Sequence, residues 1–254
     1  EQEKIADFLS DVDSKIEKLS RKKDLMSEYK KGVMQKIFSQ EIRFKDTSTS
    51  LSAGSDGLDY PDWEEKKLGK LTTLITKGTT PTSVGHNFVE EGINFIKAEN
   101  ISKINTIDIS GTPKITEECN NKLSRSILRE NDILFSIAGT LGRTVIVKKE
   151  HLPANTNQAL SIIRLKESVN LGFMYYSLIL EDVTKHINKI LSVGAQPNLN
   201  LQQIGNFKIQ FPSVEEQKKI AEFLTNLDKK IENIDTELKA VKEFKKGLLQ
   251  TMFV

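Results

Sequence analysis

The sequence predicts an α+β protein with one mixed, β-rich domain and two long helices. Three observations predict this class. One stretch of the chain occurs twice, both copies have the apolar spacing of a helix, and the segment between them alternates short strand-like runs with turns. The chain has 254 residues, so helices at both ends leave about 170 residues for the middle, which is an ordinary size for one domain.

The repeated stretch comprises residues 1–38 and residues 216–253, which align without a gap at a constant offset of 215. Of the 38 aligned pairs, 17 are identical and about half of the others are conservative. A repeat that brackets the rest of the chain indicates two equivalent structural elements. We therefore expect a first helix over residues 1–38 and a second helix over residues 213–254.

Each copy carries a narrow apolar stripe whose residues recur at steps of three and four. The stripe is formed by Ile5, Leu9, Val12, Ile16, Leu19 and Met26 in the first copy and by Ile220, Leu224, Leu227, Ile231, Ile234, Leu238 and Val241 in the second. Lys23 interrupts the first stripe where Leu238 continues the second. The competing interpretation, two surface helices of a globular core, does not explain why so narrow a stripe persists for so long. We interpret it as a coiled-coil seam, which needs a helical partner to be buried.

The two copies begin differently. Ser213, with Glu216 three residues later, has the pattern of a capping box and predicts the start of the second helix. The first copy begins at the position equivalent to Glu216, without such a lead-in. We therefore expect the chain to be the C-terminal half of a longer parent with the order domain, helix, domain, helix.

Between the helices, residues 39–62 are small and polar and are expected to form a flexible linker, and residues 63–212 are expected to form the domain. Trp63 is interpreted as a core anchor. Strands are predicted at residues 71–76, 92–97, 101–109, 132–137, 143–147, 159–165 and 207–211. Helices are predicted at residues 117–127 and 170–191, and residues 138–142 indicate a hairpin between two of the strands.

Several classes of protein do not fit the sequence. A net charge of +2 does not by itself indicate nucleic-acid binding. The single cysteine, Cys119, excludes an intrachain disulfide and a multi-cysteine metal site, and we interpret it as a small, partly buried residue. The three histidines are scattered, and neither a phosphate loop nor an S-adenosylmethionine glycine motif is present, so we expect no catalysis and no metal site. Without a signal peptide or a membrane-spanning run, the chain is expected to be cytoplasmic.

Seven short motifs point to a known family. They are Trp63 with KLG at residues 67–69, KGTTP at 77–81, NDILFS at 131–136, GTLGR at 139–143, NQA at 157–159, QPNL at 196–199, and the run from FP at 211–212 through EQ at 216–217 to IA at 220–221. In this order, and joined to the duplicated helices, they resemble the specificity subunit of a type I restriction–modification system. The resemblance covers nearly the whole chain but departs from the family pattern in having one recognition domain instead of two.

The resemblance implies that the two helices pair antiparallel as a spacer beside a target recognition domain that reads double-stranded DNA. It also implies that the chain is not an enzyme and holds no cofactor. Separate modification subunits, which use S-adenosylmethionine, methylate adenine in that family, and a restriction subunit is a more indirect partner. Because one recognition domain is present, two chains are expected to pair as a homodimer with a symmetric target.

The predicted DNA contacts lie in polar loops, because base edges are read by side chains with donors and acceptors, and phosphates by cations and hydroxyls. The candidates are Lys77, Thr79, Thr80, Thr82 and Ser83 in one turn, Lys97 and Asn100, Arg143, the amide-rich loop of Asn155, Asn157 and Gln158, and a second polar loop of Ser192, Gln196 and Asn198. Gly78 is expected to let the backbone approach DNA closely. The competing interpretation is structural in each case: a solvated turn, glycines that shape a hairpin, or amides that cap turns.

Two other functions stay open from the sequence. One is a specificity subunit of a different restriction type, whose partner is a fused nuclease and methyltransferase. The other is a protein-interaction module in which the coiled coil is a stalk and the middle domain does not bind DNA.

Overall fold

A computed structural model of the chain describes residues 2–46, 58–102, 105–193 and 198–252. It divides into two compact units: Glu1–Phe44 with Glu222–Val254, here called the helix pair, and Lys45–Ala221, here called the domain. The helices are α1 (Gln2–Phe38), α2 (Leu68–Leu71), α3 (Glu117–Lys122), α4 (Leu171–Leu178), α5 (Glu181–Val193), α6 (Leu201–Gly205) and α7 (Val214–Met252). The strands are β1 (Lys45–Asp46), β2 (Leu58–Asp59), β3 (Glu64–Lys67), β4 (Thr72–Lys77), β5 (Ile93–Ile96), β6 (Lys114–Ile115), β7 (Ile133–Ser136), β8 (Thr144–Ile146), β9 (Ala154–Thr156), β10 (Leu160–Leu165) and β11 (Lys208–Phe211).

Helices α1 and α7 run antiparallel in the helix pair. Near the start of α1, Phe8 packs edge to face on Phe244 near the end of α7, with ring centroids 6.4 Å apart. Near the end of α1, Lys30 Nζ lies 2.5 Å from Asp228 Oδ1, which is early in α7. The expected fold class, an α+β domain with an antiparallel pair of long helices, is therefore confirmed.

The residues of the predicted seam are withdrawn from solvent. Leu19, Ile234 and Leu238 form a buried cluster, against which Ile16 and Val241 pack. Leu224 and Leu227 are also buried, Ile220 is buried in the part of α7 that belongs to the domain, and Ile5, Leu9, Val12, Met26 and Ile231 are half-buried. Removal from water of the apolar side chains that lie within the helix pair is the main force that holds the two helices together.

Lys23, which interrupts the apolar stripe, forms an ion pair between the helices. Its Nζ atom donates to Asp235 Oδ1, and the other carboxylate oxygen of Asp235 lies 2.8 Å from Lys239 Nζ. The hydrogen bonds from Lys23 and Lys239 lower the pKa of Asp235 to about 2. A charged contact at one position of a seam favours one register of the helices over shifted ones.

The domain contains two larger sheets and two strand pairs. Four antiparallel strands have the order β4-β10-β7-β8, and three strands have the order β6-β5-β9, in which β5 and β9 are parallel. Strand β11 pairs antiparallel with β3, and β1 pairs antiparallel with β2. Strands β7 and β8 pair antiparallel across residues 137–143, which confirms the predicted hairpin.

One hydrophobic core is shared by the two larger sheets. Its buried members are Ile96, Ile101, Leu128, Leu134, Val145, Val147, Ala154, Leu160 and Ile162. All four residues of β7 are buried, so this strand shows no alternation between an apolar and a polar face. A strand that is covered on both faces has apolar residues at successive positions instead of at alternate ones, which is why the sequence predicts β7 well.

Trp63 anchors the first turn of α7 within the domain. Its indole Nε1 donates to Glu216 Oε2 at 2.9 Å, and the Glu216 side chain is fully buried. The next residue, Gln217, accepts from the backbone N–H of Asn170 at 2.9 Å. Ser213 Oγ accepts from the Glu216 N–H at 3.3 Å, so Ser213 caps the helix as predicted.

Several local predictions differ from the structure. Within the described residues, the strand predicted at 101–109 is reduced to one bridge between Ile101 and Ile107. The backbone of Ser192 lies in helix α5 rather than in a loop, and Asn155 lies in strand β9 rather than in the loop that follows it. Residues 47–57 of the predicted linker lie outside the described residues.

Candidate nucleic-acid interface

The ends of four strands, and the three loops that leave them, meet at one end of the β4-β10-β7-β8 sheet. Lys77, the last residue of β4, pairs with Ser161 at the start of β10, and Leu160 pairs with Ser136 at the end of β7. Strand β8 begins beside the end of β7, so the hairpin of residues 137–143 turns at the same place. The loops after β4, before β10 and between β7 and β8 therefore emerge together, although they are far apart in the sequence.

Two of the predicted DNA-binding loops are joined by hydrogen bonds at this end of the sheet. Thr80 Oγ1 donates to Gln158 Oε1 at 2.6 Å, and the backbone N–H of Gly78 donates to the carbonyl of Asn157 at 3.1 Å. A Cβ atom at Gly78 would lie only 1.8 Å from the Thr156 carbonyl oxygen. The glycine is therefore required by the packing of the chain on itself, and the expectation that it also serves an approach to DNA stays a prediction.

A residue that the sequence did not point to joins these loops. Arg125 lies in a short 3₁₀ turn after α3, and its Nη2 donates to Thr79 Oγ1 at 3.3 Å. Its side chain is exposed, like those of Lys77 and Gln158. No local pattern marks Arg125, because it becomes a neighbour of Thr79 only through the tertiary fold.

We call this group of side chains the sheet-end cluster. Its members are Lys77, Thr79, Thr80, Thr82, Ser83, Arg125, Asn157 and Gln158. Lys77, Thr82, Ser83, Arg125 and Gln158 are exposed, and the other three are half-buried. The cluster combines two cations, four hydroxyls and two amides, and Asn157 is held in place because its Oδ1 accepts from the Ala159 N–H at 3.0 Å. Such a set can bond both to phosphates and to the edges of bases.

Three other candidates are used mainly for internal bonds. Asn100 Oδ1 accepts from the Lys97 N–H at 2.9 Å and closes a short turn. Arg143 Nη1 donates to the Ile101 carbonyl at 2.8 Å and reaches the Ala98 carbonyl at 3.5 Å. Lys97 Nζ lies 3.6 Å from a Glu99 carboxylate oxygen. The structure therefore gives Arg143 and Asn100 roles in holding residues 97–101, although the hairpin that carries Arg143 turns at the same end of the sheet as the sheet-end cluster.

Asn155 is not available to DNA. Its side chain is fully buried, and its Nδ2 donates to Asn120 Oδ1 at 2.8 Å and to the Leu123 carbonyl at 3.2 Å. Its Oδ1 accepts from the Thr156 N–H at 2.8 Å. The amide is thus satisfied inside the domain, and the structure contradicts the prediction that it contacts a base.

The second polar loop is only partly described. Gln196 lies outside the described residues, and Ser192 is described only as part of the backbone of α5. Asn198 is exposed, and the next residue, Leu199, donates its N–H to the Ile137 carbonyl at 3.0 Å. Since Ile137 directly follows β7, this bond places Asn198 at the same end of the sheet as the sheet-end cluster.

The described residues contain no group of three or more His, Cys, Asp or Glu side chains placed to hold a metal ion. Cys119 is fully buried in an apolar cluster, and this burial raises the pKa of its thiol. His151 is buried too, and burial lowers its pKa, which favours the neutral imidazole that accepts from the Lys148 N–H through Nδ1. Among the described helices, none is both long enough and apolar enough to cross a membrane.

Comparison with known proteins shows which family the chain matches. A family model described as the type I restriction modification DNA specificity domain matches residues 60–243. The type I restriction enzyme MjaVIII specificity subunit of Methanocaldococcus jannaschii is 29% identical over 259 residues, a match that covers 99% of this chain and 59% of the relative. The type I restriction enzyme EcoBI specificity subunit of Escherichia coli is 22% identical over 243 residues, covering 93% of this chain and 50% of the relative.

Two solved structures share the fold. The S subunit of a type I restriction–modification system from M. genitalium matches with a TM-score of 0.62 and 20% identity, covering 98% of this chain and 59% of that one. The HsdS subunit from Thermoanaerobacter tengcongensis matches with a TM-score of 0.55 and 17% identity, covering 95% and 56%. The chain thus spans about half the length of the curated relatives and solved structures that it matches.

Proposed function

Because the chain belongs to the type I restriction–modification DNA specificity family, we propose that it recognises a double-stranded DNA sequence and holds the subunits that act on it. In this role the chain is a reader and a scaffold, not a catalyst. Modification subunits, with S-adenosylmethionine bound to them, methylate adenine in the recognised sequence. A restriction subunit joins through the assembled complex and cleaves DNA.

The observation that carries the DNA-binding part of the proposal is the sheet-end cluster. Loops from three parts of the domain bring Lys77, Arg125, Thr80 and Gln158 to one exposed edge. The cations can position the protein on phosphates, and the amide and hydroxyls can distinguish bases in a groove. The four-stranded sheet beneath supports these groups, so their spacing is held by the core rather than by the loops alone.

The direct test is DNA binding by the chain together with its cognate modification subunit. We expect the complex to retain one DNA sequence over shuffled sequences of the same composition, and sequencing of methylated adenines in host DNA to show that sequence only when the chain is present. Equal binding to every sequence, with no change in methylation, would overturn the proposal and favour a protein-interaction stalk.

Variants of the cluster should separate two kinds of contact. Gln158→Ala should reduce discrimination at one base pair by about 5- to 150-fold, since a good amide–base contact contributes about 1–3 kcal/mol. Lys77→Ala should weaken binding to all sequences alike. It should also reduce the slope of the logarithm of the binding constant against the logarithm of the salt concentration by about one unit. The matched control is Gln210→Ala, because Gln210 is an exposed glutamine on strand β11. This variant should leave both the discrimination between bases and the salt dependence of binding unchanged.

We propose that two copies of this chain pair through a two-fold axis, which would place two recognition domains on one symmetric target. Light scattering on the complex with modification subunits should then give a mass that contains two copies of the chain. A mass with one copy at all concentrations would contradict this part of the proposal.

A further inference from the structure

The domain contains four arginines, and their side chains have different surroundings. Arg164 donates to both carboxylate oxygens of Asp132, and Arg143 donates to backbone carbonyls. Arg129 and Arg125 are both exposed. The N–H of Arg129 donates to Asp132, which directly precedes β7, so Arg129 lies at the opposite end of the sheet from the sheet-end cluster. Arg125 is therefore the arginine of the domain that is both exposed and placed at the candidate interface.

The backbone that carries Arg125 is fixed on both sides. The Leu123 carbonyl accepts from the N–H of Ser126 at 3.0 Å and from its Oγ at 3.1 Å, and Ser126 is buried. Further along, the N–H of Leu128 donates to the Ala154 carbonyl in β9 at 2.9 Å. Leu123 and Leu128 are themselves buried. The position of Arg125 is therefore set by the core of the domain and not by a free loop.

The buried amide of Asn155 contributes to the same support. Its Nδ2 donates to the Leu123 carbonyl at 3.2 Å and to Asn120 Oδ1 at 2.8 Å. Burying an amide costs free energy unless it is hydrogen-bonded, and an apolar residue in β9 would avoid that cost. No apolar side chain, however, could bond the Leu123 carbonyl. This bond gives Asn155 a part in fixing the turn that carries Arg125.

One hydrogen bond orients the side chain of Arg125 and leaves most of its donors unused. The bond runs from Arg125 Nη2 to Thr79 Oγ1 at 3.3 Å. A guanidinium carries five N–H donors in one plane, so four of them stay available beside the described residues. The bond to Thr79 limits the rotation of this plane. The result is a rigid, exposed set of donors at the end of the sheet.

A fixed planar set of donors suits a guanine better than a phosphate. In the major groove guanine presents two neighbouring acceptors, O6 and N7, and an arginine can bond both at once. Adenine and cytosine place an amino donor on that edge, which a guanidinium cannot bond. A phosphate is satisfied by any nearby cation, and exposed Lys77 supplies one at the same end of the sheet.

We propose that Arg125 reads a guanine of the target sequence, and that Thr79 is a positioning residue that sets the plane of the guanidinium. The inference rests on the proposed function, because it requires that the domain reads DNA. It goes further by naming a base and the residue that selects it. Thr79 then acts through Arg125 and not on DNA itself.

The test uses the full chain with its cognate modification subunit and the target found by sequencing of methylated adenines. Each guanine of the target is replaced in turn by 7-deazaguanine, in which a carbon takes the place of N7. For the wild type, at least one replacement should weaken binding about fivefold or more, because one of the two acceptors is lost. A target without any guanine would overturn the inference.

Arg125→Lys keeps the charge but loses the planar fork. It should remove the sensitivity to one 7-deazaguanine and lower the preference for that guanine over adenine by about 5- to 150-fold, with the salt dependence of binding unchanged. The matched control is Arg129→Lys, an exposed arginine at the other end of the sheet, which should change neither quantity. Both variants should keep the wild-type unfolding midpoint, followed by Trp63 fluorescence, because both side chains are exposed.

Thr79→Val removes the hydroxyl with little change of shape. It should lower the preference for the same guanine by about 2- to 10-fold, and Thr79→Ser, which keeps the hydroxyl, should restore it. Combined with Arg125→Lys, Thr79→Val should have no further effect. An equal effect of Thr79→Val with and without Arg125→Lys would show that Thr79 contacts DNA directly, and its positioning role would be wrong.

Two other results would overturn the inference and leave the proposed function intact. If Arg125→Lys binds as the wild type does while Arg125→Ala weakens binding to all sequences alike, Arg125 contacts a phosphate. If neither variant changes DNA binding, Arg125 is a solvated surface residue. In both cases the wild type still prefers its target. If the wild type itself does not distinguish sequences, the proposed function fails, and the inference fails with it.

Discussion

The helix pair and the domain use charged and polar residues in opposite ways. In the helix pair, ion pairs such as Lys15–Glu237 lie at the surface, with both side chains about half exposed. In the domain, Asp132 and Asn155 are fully buried and hydrogen-bonded. The helix pair is therefore held together by its apolar seam, whereas the domain also depends on polar groups that have no access to water.

This difference changes how function is found in each region. In the helix pair, the repeat shows which contacts both halves share, so charged positions that differ between the halves, such as Lys22 and Glu237, are recognisable as departures from the shared pairing. In the domain, residues of the same type serve structure and recognition side by side. Asn155 is buried, and Gln158, three residues later, is exposed.

The largest effect should come from breaking the buried ion pair of the domain. Asp132 Oδ1 accepts from Arg164 Nε, and its Oδ2 accepts from Arg164 Nη2, both at 2.7 Å, while the Arg129 N–H adds a third bond at 2.8 Å. Asp132→Ala leaves a largely buried guanidinium without its partner and should lower the free energy of unfolding by about 3–5 kcal/mol. Denaturant unfolding followed by the fluorescence of Trp63, the single tryptophan, measures this in the domain.

The control for this variant is Glu65→Ala, which removes the partner of Lys208 on the surface of the domain. An exposed pair contributes about 1 kcal/mol or less, so the unfolding midpoint should change little. If Asp132→Ala and Glu65→Ala lower the free energy of unfolding by similar amounts, the buried ion pair does not contribute more to stability than the exposed one, and the prediction is wrong.

The helix pair could be predicted from the sequence in detail, because its determinants are local. The seam has a regular period and Ser213 provides a cap, so the expected bounds agree with α1 ending at Phe38 and α7 beginning at Val214. Lys23 was visible as an interruption, but its partner Asp235 depends on the direction and register of pairing, which the spacing alone does not give.

The sheet-end cluster could be predicted only in part. The turn from Lys77 to Ser83 and the Gln158 loop were identified by composition, but their contact depends on the pairing of β4 with β10. Arg125 was missed because it lies 46 residues from Thr79, its partner. The sequence assigns Asn155 wrongly because all three residues of β9 are buried. The strand therefore lacks the alternation of apolar and polar residues that would show which side chains point into the core.

A smaller loss should follow from shortening one side chain of the seam. Leu238 is buried with Leu19 and Ile234, so Leu238→Ala should destabilise the helix pair by about 2–4 kcal/mol. The matched control is Leu25→Ala, since Leu25 is 55% exposed and its loss should cost less than about 0.5 kcal/mol. Far-UV circular dichroism during denaturation reports on the long helices, and Trp63 fluorescence should shift much less. Equal costs for the two leucines would mean that the seam is not where the structure places it.

The smallest effect should be a pH dependence confined to the helix pair. Hydrogen bonds from Lys23 and Lys239 lower the pKa of Asp235 from 3.8 to about 2. A carboxylate whose pKa is lowered by folding stabilises the folded state above its unfolded pKa, and this contribution disappears as the pH falls through the folded value. The thermal midpoint of the wild type should therefore exceed that of Asp235→Asn at pH 5, and the difference should vanish between about pH 4 and pH 2.

Melts of the two proteins by circular dichroism across this range provide the measurement, and the comparison cancels the titration of the other carboxylates. High salt should reduce the difference at pH 5, because the charges lie near the surface and are screened. A difference that is the same at pH 2 and pH 5 would show that Asp235→Asn acts through packing, and the ion pair with Lys23 would then have no measurable part in holding the register of the helices.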